Sequence, residues 1–257
     1  MDRADGTVPV MRHTPHVLVV AGSDSSGGAG IVRDIETLAA FGVKASVAIT
    51  AVTVQTHHAV QHVDAIPPER VAQQMRAALA ANPVAAIKIG MLATSATIAA
   101  VTDVLADYRE IPVVLDPVLV STSGSRLLTP DAMAALGDLF ASCTLITPNL
   151  PELLRLAAVE TTGASENAVD HARRLIAAGA QGVLIKGGHG DGTESADILV
   201  RAGHAIQAFT APRLVASMRG TGCMLASAIA AHLAFGDDLA IAISEAKAFV
   251  HGKLSAI

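Results

Sequence analysis

Short apolar runs alternate along the chain with stretches in which apolar residues recur every three or four positions. Six of these runs are rich in Val and Ile and are followed by glycine, proline or polar residues, a pattern typical of buried strands. The predicted strands are 16–22, 44–52, 85–92, 111–120, 144–149 and 181–188. The intervening helical stretches include IVRDIETLAAFG, PERVAQQMRAALAA, SATIAAVTDVLADY and ENAVDHARRLIAAGA. This alternation predicts an α/β fold, with a three-layer α/β/α arrangement around a central, mostly parallel sheet.

The pattern changes in the C-terminal half of the chain. Within residues 194–213, the short runs ADILV and HAIQAFT are joined by RAG, which predicts a small hairpin. The stretch MRGTGC then precedes an apolar helix, and DDLAIAISEAKAFVHGKL predicts a last one. Because no linker or repeat interrupts residues 16–257, we expect a single domain there. Residues 1–15 are polar and aperiodic, which predicts a disordered leader and lacks the apolar segment of a secretion signal.

Composition and charge narrow the possible partners. Apolar residues make up 51% of the chain but aromatic ones only 2%, so the core must consist of Ala, Val, Leu and Ile. The formal charge is −5 without basic clusters, which argues against a nucleic-acid partner. No apolar run reaches the length of a membrane span, so we expect no membrane partner. Two cysteines in a chain of this length favour a reduced, cytoplasmic protein.

Residues capable of chemistry follow the predicted strands. In open α/β sheets, ligands bind beyond the carboxyl ends of the strands, so these segments predict a site along one sheet edge. The segments are GSDSSGGAG, TAVTVQTHH, KIGM, DPV, TPNLPE and KGGH.

The first of these segments, residues 22–30, is glycine-rich but matches neither a Walker A loop nor a GxGxxG motif. It is either a ligand-binding turn or a purely structural one. Asp34, about one turn into the next helix, is likewise either a ligand contact or a solvated carboxylate favoured by the helix dipole. Gln55 combines a donor and an acceptor, which suits a heteroaromatic ring. His57 and His58 lack further ligands at suitable spacing, so we expect no metal there.

Two carboxylates and an amide follow neighbouring predicted strands. Asp116 ends an apolar strand, and Asn149 and Glu152 come directly after the next one. Together they could hold Mg²⁺ through water, although each carboxylate could instead be structural, by capping backbone groups or complementing a helix N-terminus. Lys186 ends a buried strand, where contact with a phosphate or a carboxylate is the expected reason for a lysine.

The segment Gly220, Thr221, Gly222 and Cys223 precedes a long apolar helix. The first amides of a helix lack intrahelical partners, and glycine leaves them uncovered, so this junction can bind an anion or a developing oxyanion. The helix field is also expected to lower the pKa of Cys223, which would make its thiol a base or polarising group. The alternative is that Cys223 is a small buried apolar residue.

Taken in order, AGSDSSGGAG, TAVTVQT, KIGM, DPV, TPNLPE, KGGH and RGTGC resemble the hydroxymethylpyrimidine (phosphate) kinases of thiamine biosynthesis, within the ribokinase-like superfamily. The resemblance runs from about residue 16 to the C-terminus. It implies a ribokinase-like sheet flanked by helices, a homodimer, and the use of ATP and Mg²⁺. The implied reaction phosphorylates 4-amino-5-hydroxymethyl-2-methylpyrimidine and, in many members, its monophosphate.

The resemblance also implies roles for individual residues. Asp34 and Gln55 would form hydrogen bonds to the pyrimidine. The pocket around the ring would be lined by Gly22, Met91 and Val118. The group around Mg²⁺ and the triphosphate would be Asp116, Asn149 and Glu152, with Lys186 near the phosphates. The anion hole would be Gly220, Thr221, Gly222 and Cys223, with the cysteine where sugar kinases of this superfamily carry an aspartate base.

The chain departs from the family pattern in three ways. Arg219 stands where the family usually has histidine, and it either adds a charge beside the transferring phosphoryl group or faces solvent. Thr122 stands where lysine is frequent, which weakens the expectation of a second phosphorylation. His57 and His58 replace smaller residues and leave ring selectivity open.

Three other functions compete with this expectation. A pyridoxal or pyridoxine kinase is the nearest, since related enzymes bind that ring in a similar pocket. A catalytically silent vitamin-binding or regulatory protein is the alternative of another class. Retention of Asp116, Glu152 and Lys186 argues against it, whereas Arg219 and Thr122 keep it open. A sugar kinase is disfavoured by the cysteine in the anion hole.

Overall fold

The computed structural model describes residues 14–120, 124, 127–157, 167–188 and 192–257. Residues 1–13 of the predicted leader, and Thr122, lie outside this range. No helix within the described part of the chain has both the length and the apolar character needed to cross a bilayer.

The described strands form one nine-stranded sheet in the order β3-β2-β1-β4-β5-β6-β7-β8-β9. The strands are β1 (His16–Asp24), β2 (Lys44–Gln55), β3 (Val60–Ala65), β4 (Val84–Ile89), β5 (Val113–Leu115), β6 (Leu145–Ile146), β7 (Gly182–Ile185), β8 (Glu194–Arg201) and β9 (Gln207–Pro212). Strands β2, β1, β4, β5, β6 and β7 run parallel, whereas β3, β8 and β9 pair antiparallel. The predicted mostly parallel sheet and the β8–β9 hairpin are therefore confirmed.

Helices cover both faces of the sheet. They are α1 (Gly30–Ala40), α2 (Pro68–Ala81), α3 (Ser95–Leu105), α4 (Pro130–Phe140), α5 (Leu150–Leu156), α6 (Ala168–Ala177), α7 (Thr221–Ala234) and α8 (Leu239–Ser255). Helices α1, α7 and α8 pack on one face, and α2 to α6 on the other. In β1, Leu18 and Val20 join one core while Val17 and Val19 join the other, as the two-residue period of a strand requires. The predicted three-layer architecture is confirmed.

Strands β5 and β6 are much shorter than predicted, β4 and β7 end three residues early, and strand β3 was not predicted. The run predicted as strand 111–120 contributes only Val113–Leu115, because Pro112 lacks an amide donor and Pro117 lies just beyond the strand. Strand β6 is shortened in the same way before Pro148. The edge strand β3 was missed because most of its side chains are exposed, so it lacks the apolar pattern of a buried strand.

Candidate active site

A cavity of about 760 Å³ lies at the carboxyl edge of the parallel strands. Its volume falls in the range typical of sites for small molecules. The predicted site residues that line it are Gly22, Gln55, Met91, Asp116, Val118, Asn149, Glu152, Lys186, Arg219, Gly220, Thr221, Gly222 and Cys223. The structure thus brings thirteen of the fourteen together at one sheet edge, while their individual roles stay predictions.

One end of the cavity is built from Gly22, Gln55, Met91 and Val118. A Cβ atom at position 22 would lie 3.1 Å from Met91 Sδ, so glycine allows the methionine to pack against the backbone. The hydroxyl of Ser25 fixes the backbone of Gln55, because it accepts from Gln55 N and donates to Gln55 O, both at 2.9 Å. This end therefore offers an apolar pocket beside Gln55, whose backbone is held by Ser25.

Asp34 is the predicted site residue that the structure does not bring to the cavity. Its side chain is fully buried, with Oδ2 2.8 Å from Lys88 Nζ and Oδ1 accepting a 2.8 Å hydrogen bond from Ser227. The position one turn into α1 was right, but the prediction of direct ring contact and the alternative of a solvated carboxylate are both wrong in this structure. Both oxygens are taken by protein donors, and opening the pair would leave Lys88 buried and unpaired.

The other predicted carboxylate group surrounds Lys186. Lys186 Nζ lies 2.8 Å from Asp116 Oδ1 and 3.8 Å from Glu152 Oε2. Burial on its own would lower the pKa of Lys186, but Asp116 and then Glu152 outweigh it, and the pKa is raised. The lysine therefore stays a cation beside the cavity, and its contact with a carboxylate is confirmed.

Asn149 and Glu152 have a structural role as well. Asn149 Oδ1 accepts from Glu152 N and Glu152 Oε2 accepts from Asn149 N, both at 2.9 Å, forming a capping box at the start of α5. Burial raises the pKa of Glu152, the Lys186 ammonium opposes that rise, and Asp116 adds to it. The structural alternative for Glu152 is thus present, and it leaves Oε1 without a donor among the described residues.

The N-terminus of α7 lies directly against this charged group. Gly220 has a φ of 76°, and a Cβ there would meet Gly28 O at 2.5 Å, so only glycine fits. A Cβ at Gly222 would lie 3.2 Å from Lys186 Nζ and 3.5 Å from Asp116 Oδ2. The uncovered amides of the helix and the lysine ammonium therefore face the same part of the cavity, an arrangement suited to an anion.

The expected activation of Cys223 is wrong. Burial raises the pKa of its thiol to about 11, Lys88 opposes that rise, Asp34 and Asp116 add to it, and a backbone hydrogen bond from Gly30 lowers it. Desolvation of the thiolate therefore outweighs the two influences that favour it, the Lys88 charge and the Gly30 hydrogen bond. At neutral pH Cys223 is a neutral thiol.

Arg219 lines the cavity with a side chain only 19% exposed, so it does not simply face solvent, and its predicted place beside the phosphoryl group stays a prediction. Its Nη1 donates to Ser26 Oγ at 2.9 Å and to Thr56 O at 3.1 Å, and lies 3.3 Å from His57 Nδ1. Its Nη2 lies 3.5 Å from Asp24 Oδ2. The guanidinium is thus turned toward the loops after β1 and β2.

Comparison with known proteins identifies the family. The family model described as phosphomethylpyrimidine kinase matches residues 24–256. The chain belongs to this family. The hydroxymethylpyrimidine/phosphomethylpyrimidine kinase of Rhizobium meliloti (strain 1021) is 41% identical, over 95% of this chain and 91% of the relative. The thiamine biosynthesis bifunctional protein ThiED of Geobacter sulfurreducens is 42% identical over 91% of this chain. The match spans only 48% of that longer protein.

Solved structures give the same result for the fold. Phosphomethylpyrimidine kinase from Clostridium difficile 630 superposes with a TM-score of 0.80 at 32% identity, covering 93% of this chain and 99% of that one. Pyridoxal kinase from Staphylococcus aureus in complex with AMP-PCP superposes with a TM-score of 0.82 at 32% sequence identity. The match covers 94% of this chain and 88% of that one. The family resemblance and the ribokinase-like fold expected from the sequence are confirmed, and this member of the phosphomethylpyrimidine kinase family is a phosphotransferase.

Sequence reasoning missed several charged residues in the cavity wall of this kinase, among them Lys88 and Arg213. Lys88 is fully buried in β4, and a lysine inside an apolar strand is the same signal that singled out Lys186. Arg213 follows β9 and donates to four carbonyl groups, those of Gly187, Gly188, Gly192 and Glu194. No sequence signal identifies Arg213, because its acceptors are backbone atoms.

Proposed function

We propose that this kinase transfers the γ-phosphoryl group of ATP to the hydroxymethyl oxygen of 4-amino-5-hydroxymethyl-2-methylpyrimidine, and then phosphorylates the monophosphate. The observation that carries the proposal is the placement of the α7 N-terminus, with Gly222 beside Lys186 and Asp116, in the same cavity as Gln55. One region suits a transferring anion and the other a flat polar ring.

The proposed phosphate region rests on local charge. The kinase carries a net charge of −5, so attraction of a triphosphate must come from nearby donors. Lys186 and the first amides of α7 provide them within a partly buried cavity, where electrostatic interactions are stronger than in water.

The carboxylates fit a magnesium ion held mostly through water. Asp116 Oδ1 and Glu152 Oε2 are engaged by Lys186 and Asn149, whereas Asp116 Oδ2 and Glu152 Oε1 accept no hydrogen bond from the described residues. Among those residues no cluster of three or more His, Cys, Asp or Glu side chains surrounds one point. Two free carboxylate oxygens suit Mg²⁺, which keeps most of its water shell. When bound, the ion would neutralise charge on the phosphates.

The proposed transfer needs alignment more than a strong base. The hydroxymethyl oxygen forms a bond to the γ-phosphorus, the bond from that phosphorus to the β–γ bridging oxygen breaks, and ADP leaves. The hydroxyl proton passes to a phosphate oxygen or to water. Cys223 is a neutral thiol, so its role is that of a polar group beside the anion region. Phosphoryl transfer depends chiefly on positioning and charge neutralisation.

The test is direct. Purified kinase is incubated with the hydroxymethylpyrimidine, ATP and Mg²⁺, and products are followed by phosphorus NMR. We expect the pyrimidine monophosphate and then the diphosphate. Arg173→Ala is a matched control, because this arginine forms an exposed ion pair with Asp170 on α6. Absence of any phosphorylated pyrimidine with tight pyrimidine binding would support a catalytically silent binding protein instead.

A pyridoxal kinase is the second candidate. The observation that favours it is the structural similarity to the Staphylococcus aureus pyridoxal kinase, which was solved in complex with pyridoxal. The two structures superpose with a TM-score of 0.82. Values of kcat/KM for both substrates decide between the two, and a higher value for pyridoxal would overturn the first proposal.

We also propose that the kinase is a cytoplasmic homodimer. Val52 and Val54 of β2 are 45% and 49% exposed on one face, next to the edge strand β3. A second copy would cover these side chains. Light scattering after gel filtration tests this, and replacing both valines with Ser should shift a dimer toward monomer.

A further inference from the structure

The guanidinium of Arg219 joins segments that are far apart in sequence. It reaches Ser26 in the turn after β1 and Thr56 directly after β2, while its own backbone leads into α7. The side chain is only 19% exposed. The Arg219 side chain therefore connects three segments at one end of the cavity: the turn after β1, the end of β2 and the start of α7.

The two serines of the first turn link Arg219 to Gln55. Ser26 Oγ accepts from Arg219, and the neighbouring Ser25 Oγ bonds both backbone groups of Gln55. Asp24 holds this turn, since its Oδ1 accepts from Ser26 N at 2.8 Å and from Ser26 Oγ at 2.7 Å. A displacement of the guanidinium would consequently be transmitted to the backbone of Gln55.

The two terminal nitrogens of Arg219 are engaged, whereas its buried Nε has no hydrogen-bond partner among the described residues. Nη1 carries two hydrogens, and three acceptors lie within 3.3 Å of it. Nη2 faces Asp24, whose residue is only 4% exposed. Moving the guanidinium to a phosphate would leave this carboxylate buried without its cation, which is costly. The contacts therefore argue against a phosphate ligand.

We propose that Arg219 is a positioning residue for the ring end of the cavity, acting through Ser26 and the turn that holds Gln55. The inference rests on the proposed pyrimidine kinase activity. It assigns to Arg219 an effect on pyrimidine binding and little effect on ATP binding. A fixed planar fork is required to reach Ser26, Thr56 and Asp24 at once, which lysine cannot supply.

The experiment measures steady-state KM for each substrate and the pyrimidine Kd by calorimetry without ATP. For Arg219→Ala we expect pyrimidine KM and Kd to rise about tenfold, while KM for ATP changes less than about threefold. Arg219→Lys should recover only part of the loss. Arg173→Ala should leave all three constants unchanged, since it lies at an exposed ion pair on α6.

A double variant tests the route through the turn. Ser26→Ala should also raise the pyrimidine Kd, and combining it with Arg219→Ala should add less than the sum of the two single effects. Additive effects would overturn the proposed route. If Arg219→Ala does not fold by circular dichroism, Arg219→Lys and Ser26→Ala carry the same test, because both keep the charge at position 219.

The outcomes separate this inference from the proposed function. A wild-type protein that phosphorylates no pyrimidine would overturn the proposed function. An active wild type with an unchanged pyrimidine Kd in the Arg219 variants would overturn only the inference. A rise confined to the KM for ATP would make Arg219 a phosphate ligand, and an equal rise in both KM values would make its role merely structural.

Discussion

Two lysine–aspartate pairs of the same length have their lysine on a strand of the sheet or directly after one. Lys88 is 2.8 Å from Asp34 and Lys186 is 2.8 Å from Asp116. Both side chains of the first pair are fully buried, whereas Lys186 is 14% exposed at the cavity. The difference follows from where each strand ends, because Lys88 lies within β4 and Lys186 comes one residue after β7.

The surroundings of the two pairs also differ. Both oxygens of Asp34 have protein donors, so that pair is complete without a ligand. Asp116 has one oxygen without a donor among the described residues, and Lys186 has a second carboxylate, Glu152, at 3.8 Å. The same residue types thus form a closed structural pair in one place and a group open to a ligand in the other.

The largest expected effect comes from removing the buried lysine, which tests whether the Lys88–Asp34 pair is structural. Lys88→Met should lower the free energy of unfolding by about 3–5 kcal/mol, because it leaves Asp34 buried without a counter-charge. Urea denaturation measures the loss. Lys88→Met combined with Asp34→Leu should recover much of the stability. An unchanged midpoint in the single variant would show that the pair is not the closed structural unit described.

Removing the lysine at the cavity should act on catalysis instead. Lys186→Met should lower kcat by about 10²–10³-fold, the size expected for losing one donor to a transition-state anion. Steady-state kinetics measure it, and urea denaturation should show a smaller stability loss than for Lys88→Met. If stability falls as much and turnover does not, the two pairs have been assigned the wrong way round.

Removing the Cys223 thiol, which lies near both pairs, should lower kcat less than removing Lys186. Cys223→Ala should lower kcat by about tenfold and leave the pyrimidine Kd nearly unchanged, because the loop residues 220–223 act on the transferring group. Cys223→Ser, which keeps a polar hydrogen, should lose less. Unchanged turnover in the alanine variant would mean that the thiol only fills space.

The smallest effect concerns pH. With a pKa of about 11 against an ordinary value of 9.0, alkylation of Cys223 by iodoacetamide should keep accelerating between pH 9 and pH 11. The folded protein holds this proton more tightly than the unfolded chain, so stability falls with rising pH across the same window. Mass spectrometry follows the modification, with glutathione as the free-thiol control. A plateau below pH 9 would contradict the raised pKa.

The fold was predictable from the sequence because its signals are local. Val- and Ile-rich runs between amphipathic stretches predicted the parallel strands, and their glycine and polar endings predicted where the cavity would form. Strand β3 was missed because most of its side chains are exposed, and only a buried strand needs the apolar residues by which a strand is recognised in a sequence. The shortness of β5 and β6 depended on prolines whose effect on pairing was underestimated.

The sequence by itself determined which residue types reach the cavity edge, since strand ends in a parallel sheet all point the same way. Only the tertiary structure decided what each of them contacts. Asp34 turned inward to Lys88, Arg219 turned to Ser26, and burial kept Cys223 protonated. These outcomes depend on contacts between residues up to 195 positions apart and on desolvation, and a local sequence pattern carries information on neither.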